Sequence, residues 1–477
     1  MTEIRKYTDM MIDECVAHDA IDRELFAEYG VKKGLRDVNG VGVLTGLTNI
    51  SMVNGSKIVD GKKVPIEGEL LYRGYNIQEL VRGALGRKFI YEEAAYLLLF
   101  GELPTKAQLI EFKELLNSCM ELPTNFTRDV IMKAPSADIM NSMTRSILTL
   151  AAYDEYKESI QLANVLRQSI RLIAEFPMLA AYAYHAYNHY ENDGSMYIHR
   201  PDPELSLAEN FLRMLRPDMS FTELEAMTMD IAFLLHMEHG GGNNSTFTTR
   251  VVTSAGSDTY SAIAAAMSSL KGSKHGGANL MVMRMMDDIR EHVRDHRDQE
   301  EVEDYLLKIL AGEAFDHKGL IYGMGHAVYS LSDPRERVFK EYVVKLSQEK
   351  KRQEDMMLYD MVETLAPKLI ARKRKIFKGV SPNVDFYSGF VYDMMGIPRE
   401  LYTPIFAIAR ITGWSAHRME ELVTMDKIIR PAYKSLVVPR KYMDRDHRTE
   451  WKAEGKEEAA ENSDTKDVPD GAGDSAT

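Results

Sequence analysis

A chain of 477 residues is long enough for two or three domains and a large core. Its 45% apolar and 27% charged content is that of a soluble globular protein, and a formal charge of −13 argues against nucleic acid as the main partner. Any anionic substrate therefore needs a locally basic pocket. Two cysteines, Cys15 and Cys119, are too few for a disulfide framework and lack metal-ligand spacing, which points to a reducing interior. The charged N-terminus has no signal-peptide centre and no apolar run approaches membrane-spanning length, so a cytoplasmic protein with no membrane partner is expected.

Residues 1–35 read as charged amphipathic helix, with Met10, Met11, Cys15, Ile21, Leu25 and Phe26 as candidates for burial. Between Gly40 and Gly68, β-branched residues alternate, and the turn pairs Asn54-Gly55 and Asp60-Gly61 predict a small hairpin region. From Ile77 helical periodicity takes over, with helices expected over 77–84, 91–101, 105–119, 136–153, 157–192, 205–216 and 221–239. The Ala/Tyr-rich stretch 177–187 suits close helix packing or an oligomer interface, and its His185 reads as a packed histidine. The last of these helices runs into Gly240–Gly242, which stop it. A small-residue helix over 257–270 then opens into SKHGGAN, followed by helices at 279–296 and 300–312.

The next stretch, YGMGHAVYSLSDPR, carries the most chemistry. Gly323 and Gly325 permit backbone that brings His326 to a rim, and Asp333-Pro334-Arg335 turns to present a guanidinium fork suited to a carboxylate. A single long charged helix is expected over 335–372, ending in the basic run 371–378. In SPNVDFYSGF, Pro382 and Asn383 bar an earlier helix start, so Asp385 falls at a helix N-terminus. A compact helix at 403–421 carries Arg410, Trp414 and His417. From Lys452 the chain is acidic and nearly free of large apolar residues, so 452–477 reads as a disordered tail.

Three histidines beside glycine (His239, His275, His326), Asp385, and the arginines 335, 410 and 430 form the chemical inventory. No HExxH or paired cysteines support a metal site, no phosphate-binding glycine motif is present, and no internal repeat supports a helical scaffold.

LHMEHGGGNNSTFTTR, LKGSKHGGAN, YGMGHAVYSLSDPR, SPNVDFYSGF and IARITGWSAHRMEE together resemble the citrate synthase family, in its order and approximate spacing, over roughly residues 35–435. The resemblance implies a mainly α, two-domain helical fold with a small N-terminal β-hairpin region. The large domain would span 1–285 with 396–451 returning to it, and the small domain 286–395 would carry His326 and Asp385. It implies condensation of acetyl-CoA with oxaloacetate, then thioester hydrolysis, with no cofactor beyond the acetyl-CoA co-substrate. Asp385 would be the base, His275 the donor to the enolate oxygen, and His326 the group polarising the oxaloacetate carbonyl. His239, Arg335 and Arg410 match oxaloacetate ligands, and Arg430 the arginine a partner subunit supplies in a homodimer. Coenzyme contacts fall to Lys274, Tyr322, Gly323, Met324, Gly325 and Lys378. Ser330, Leu280 and Ser273-Lys274 depart from the family pattern without touching the three catalytic positions. A 2-methylcitrate synthase using propionyl-CoA, and a non-catalytic helical interaction protein, are the alternatives.

Overall fold

The computed structural model describes residues 2–37, 41–374, 379–424 and 427–449; the acidic segment 452–477 and Lys378 lie outside them. In chain order the elements are α1 (Thr2–Asp19), α2 (Arg23–Glu28), β1 (Ser51–Val59), β2 (Lys62–Tyr72), β3 (Tyr75–Asn76), α3 (Ile77–Gly83), α4 (Ile90–Phe100) and α5 (Lys106–Ser118). They continue as α6 (Ile139–Leu150), α7 (Leu162–Glu191), α8 (Leu207–Leu215), α9 (Glu223–His236), α10 (Asn244–Ser254), α11 (Thr259–Leu270) and α12 (Ala278–His292). The last five are α13 (Gln299–Ala311), α14 (Pro334–Glu349), α15 (Gln353–Arg374), α16 (Val384–Met394) and α17 (Tyr402–Thr424). The fold is mainly α, with one three-stranded antiparallel sheet in the order β1-β2-β3. No helix among the described residues is long and apolar enough to cross a membrane.

The chain divides into one unit of residues 45–430 and another made of both chain ends, 1–44 and 431–477. In the latter, α1 and α2 form where the charged periodicity predicts, but the expected buried face is absent. Met10, Cys15 and Ile21 are exposed, and Met11, Leu25 and Phe26 are only half-buried.

In the larger unit, Asp60 and Gly61 close the β1–β2 hairpin with φ of 49° and 73°, the left-handed pair that a two-residue turn requires. Asn54-Gly55 is not a second turn. It sits inside β1, where the register shifts between Asn54 and Ser56 as a bulge. A Cβ on Gly55 would come within 2.5 Å of Val328 O, and one on Gly68 would collide with Ser332 O, so the hairpin packs directly on the loop that follows His326.

Helix starts follow local chemistry. Thr105, Ser206 and Thr222 begin α5, α8 and α9 with reciprocal capping boxes. Asp138 caps α6, so this helix starts three residues after the expected 136. The expected helix 335–372 is two, α14 and α15, because the chain turns at Lys350-Lys351-Arg352. Lys351 takes φ 56° and the Arg352 N–H returns to Ser347 O at 2.7 Å. An unexpected helix, α10, follows the glycines at 240–242.

At the centre lies α17. Its side chains from Tyr402 to Arg418 are buried on every face, and it packs on α7, α10, α9 and α4. Alanines 180, 181, 183 and 186 of α7 are buried, as close helix packing demands. His185 is buried there, its Nε2 2.9 Å from Met214 O.

Candidate active site

The His326 loop and the N-terminus of α16 are stitched together. Gly323 and Gly325 have φ of 77° and 86°, and a Cβ on Gly323 would meet Phe386 Cα at 3.0 Å. Gly325 N–H donates to Ser381 O at 2.7 Å, and Asn383 N–H to Gly323 O at 2.9 Å. The Asn383 side chain then works at both ends. Its Oδ1 accepts the Asp385 N–H at 3.0 Å, capping α16, and its Nδ2 donates to Gly325 O at 2.9 Å.

His326 is oriented by its own loop. Nδ1 accepts the backbone N–H groups of Val328 and Tyr329 at 3.1 and 3.2 Å, so the proton of the neutral ring sits on Nε2. The ring stacks on Tyr329, with centroids 4.7 Å apart, and meets His239 edge-on at 5.0 Å. Asp385 is half-buried, and among the described residues its carboxylate has no hydrogen-bond partner. Burial pushes its pKa up to about 6, with Asp333 adding to the rise and Arg335 and Arg410 opposing it.

His275 lies in the turn between α11 and α12. Gly276 N–H donates to Leu270 O at 2.9 Å and Thr403 Oγ1 to Gly276 O at 3.0 Å, which pins this turn to α17. Nε2 accepts the Ser245 N–H at 3.3 Å and lies 3.0 Å from Ser245 Oγ, leaving the proton on Nδ1. Trp414 Nε1 donates to the same Oγ at 3.1 Å. Burial, reinforced by the charge of Arg410, lowers the His275 pKa to about 4, so the ring is a neutral donor.

The cationic floor comes from α14 and α17. Arg335, 3% exposed, is held by Asp333 through Nε–Oδ1 at 3.0 Å and Nη2–Oδ2 at 2.7 Å. Arg410 is fully buried. Its Nε donates to His236 O at 2.7 Å, while Nη1 and Nη2 have no hydrogen-bond partner among the described residues. Burial pulls its pKa down to about 10, still charged at neutral pH. Burial, followed by the charges of Arg335 and Arg410, drives His239 well below its ordinary value. Two orphaned guanidinium nitrogens in a buried site fit a carboxylate.

Behind His239 lies a relay that the sequence reading did not find. Glu238 Oε1 accepts Ser51 Oγ at 2.8 Å, Gly240 N–H at 2.5 Å and His417 Nε2 at 2.9 Å. Arg250 Nη2 donates to His417 Nδ1 at 3.0 Å, and Arg250 also pairs with Glu420 and Glu421. Burial works against charge on Glu238, but His417 and Arg410 hold its pKa near 2. Gly413 makes room for it, since a Cβ there would lie 2.6 Å from Glu238 Oε2. In the sequence Asn383 reads only as a bar to helix and Asp333 only as part of a turn, and Ser245 and Glu238 are not singled out. Their signal is positional, a short polar residue next to a glycine, a helix start or a candidate histidine.

The remaining expected residues are spread more widely. Tyr322 donates to Asp316 at 2.6 Å, Met324 bridges to Pro382, and Lys274 is exposed. Arg430 is exposed in coil beyond α17, and Lys378 lies outside the described residues.

Residues 39–432 match the family model for the citrate synthase C-terminal domain. Among curated relatives, a citrate synthase of Haloferax volcanii is 35% identical, covering 84% of this chain and 94% of that protein. A 2-methylcitrate synthase of Shewanella oneidensis is 34% identical, covering 76% of this chain and 87% of that protein. Among solved structures, citrate synthase from Thermoplasma acidophilum in ternary complex with carboxymethyl coenzyme A and oxaloacetate superposes with a TM-score of 0.71 at 28% identity. That match covers 87% of this chain and 99% of that one. The chain belongs to the citrate synthase family of acyltransferase-type enzymes.

Proposed function

We propose that the chain condenses acetyl-CoA with oxaloacetate and water to give citrate and CoA. The observation that carries this reading is the buried Arg410, with Nη1 and Nη2 unpartnered, acting with the Asp333-braced Arg335 and His239. Such a floor suits a dicarboxylate, and His326 Nε2–H is the donor for its carbonyl oxygen. Asp385 takes a proton from the acetyl methyl group, and His275 Nδ1–H bonds the enolate oxygen that forms. The enolate carbon then bonds to the oxaloacetate carbonyl carbon, His326 delivers a proton to the new alkoxide, and water cleaves the thioester to release CoA. Donors aimed at developing negative charge supply a few kcal/mol each, and a general base about 10²–10⁴-fold. The neutral state of His275 suits this role, because it donates without adding a charge that would compete with the arginines.

Residues 286–395 are proposed to act as a small domain that closes over the rest of the enzyme, excluding water while the enolate exists. Arg430, exposed in the single chain, is proposed to complete the oxaloacetate site of a partner subunit in a homodimer. Coenzyme phosphates are assigned to Lys274 and the basic run reaching Lys378, with Tyr322, Gly323, Met324 and Gly325 lining the acyl side.

A second reading, 2-methylcitrate synthesis from propionyl-CoA, is favoured by relatives of both names matching at 34% and 35% identity. One methylene in an apolar pocket is worth only about 1–3 kcal/mol. Release of free thiol with oxaloacetate and either acetyl-CoA or propionyl-CoA decides between them. Faster turnover of acetyl-CoA supports the first reading, a propionyl-CoA preference the second, and no release from either overturns both.

A further inference from the structure

Immediately after Arg335 comes a carboxyl that the mechanism does not use. Glu336 is 3% exposed, and its Oε1 is buried without a hydrogen-bond partner among the described residues. It occupies the third position of α14, where a glutamate ordinarily folds back onto the cap residue. Here it does not. Among the described residues it takes no hydrogen bond from the N–H of the cap residue, Asp333, and the Asp333 oxygens themselves are committed to Arg335 and to the backbone of Val384. Glu336 thus lies in a dry space with Asp333 acting on it from one side and Glu363 from another.

The charged groups around it are few. On α14 itself they are Asp333, Arg335, Arg337 and Lys340. From α15 come Glu363 and Asp360, both paired with Lys340 at 2.5 and 2.9 Å. From α16 come Tyr387, which donates to Glu363 at 2.6 Å, and Asp385. From β2 comes Glu67, 2.6 Å from Arg337, and from α9 the His236 ring, packed on Phe339 at 5.6 Å. Among the described residues α3 sends no charged partner to α14. The cations that offset the neighbouring carboxylates at Glu336, Lys340 and Arg337, already serve other acids, as Arg335 does. A neutral Glu336 is therefore the state this site is built around at neutral pH.

We propose that Glu336 is a positioning residue that sets the alkaline limit of oxaloacetate binding. Neutral, it leaves Arg335 to Asp333 and the substrate. Ionised, it places another carboxylate beside Asp333 and sets its field against an incoming dianion. Its pKa, raised to about 8 first by burial and then by Glu363 and Asp333, locates the change in mildly alkaline solution. The inference rests on Arg335 being an oxaloacetate ligand.

Calorimetric titration of oxaloacetate into the full chain, from about pH 7 to about pH 9, tests it. For the wild type, Kd should weaken roughly three- to tenfold across the window, the size expected of one charge acting through protein. In Glu336→Gln the affinity should stay level. In Lys340→Met, which removes a cation facing Glu336, the weakening should move to higher pH, a readout that packing alone does not produce. Parallel weakening in wild type and Glu336→Gln overturns the inference while leaving the dicarboxylate site standing. Absence of oxaloacetate binding by the wild type at any pH overturns that site, and the inference with it.

Discussion

Asn383 donates from Nδ2 to Gly325 O at 2.9 Å while its Oδ1 holds the Asp385 N–H, so one amide fixes the spacing between the His326 loop and the Asp385 helix. Asn383→Ala should lower kcat for thiol release roughly 10–100-fold, because misplacing reacting groups by about 1 Å costs that much. KM for oxaloacetate should change little, since Arg335 and Arg410 do not depend on this bond. Loss of the cap should cost about 1 kcal/mol of stability, read by thermal unfolding. A kcat within twofold of wild type would remove Asn383 from this role.

With Asp385 as the proposed base, the acid limb of the reaction follows its carboxyl. A carboxyl with a pKa near 6 is an ionised base at neutral pH and is protonated below it, so kcat should fall tenfold per pH unit well under pH 6. Asp385→Asn should abolish that limb along with most of the activity. An acid limb centred near the ordinary carboxylate value would contradict the desolvated site.

Arg410 offers a separation of stability from function. Its buried, half-satisfied guanidinium costs folding energy, because the folded state lowers its pKa relative to the unfolded chain. Arg410→Met should leave the Tm of the unliganded protein equal or higher. The rise in Tm that oxaloacetate gives the wild type should disappear. A large drop in unliganded Tm would show that Arg410 is needed for folding rather than for substrate.

Glu92 governs stability against pH elsewhere. Its Oε1 caps α8 through the Leu207 N–H at 2.7 Å, and Oε2 is buried without a hydrogen-bond partner among the described residues. Burial, then the nearby Asp230, raises its pKa to about 8. The folded state therefore holds a proton the unfolded chain has lost, and stability present below about pH 4.5 drains away as pH rises towards 8. Glu92→Gln, which keeps the cap, should match wild type near pH 5 and exceed its Tm near pH 8. Equal Tm values at both pH values would refute this assignment.

The candidate reactive residues were legible because glycines and prolines mark them. His275 beside Gly276, His326 after Gly325, and Asp385 after Pro382-Asn383 all sit where backbone chemistry announces a turn or a helix start. Helix α10 was not legible, because Asn244–Ser254 is polar and β-branched and follows three glycines. It is helical because Ser245, Thr249 and Arg250 are buried in tertiary contacts, the reverse of an apolar stripe. The break at Lys351 was hidden for a related reason: a left-handed lysine leaves no Gly or Pro in the sequence. Glu238 and Asp333 carry no signal of their own in the sequence, because their partners, His417 and Arg335, are brought in from elsewhere in the chain or from the start of the next helix.

The close fit of the β1–β2 hairpin on the His326 loop also sets an order of events. Gly68 N–H bonds Ser332 Oγ across 264 residues of sequence, and Gly55 and Gly68 leave no room for any side chain at the contact. The hairpin precedes the loop in the chain, so it can dock only once the loop has followed. Loop-closure entropy makes that docking a late step, so the His326 loop takes its shape near the end of folding. A methyl group at either glycine would strike at assembly rather than at chemistry, yielding chains that fold most of their helices and still lack an enzyme.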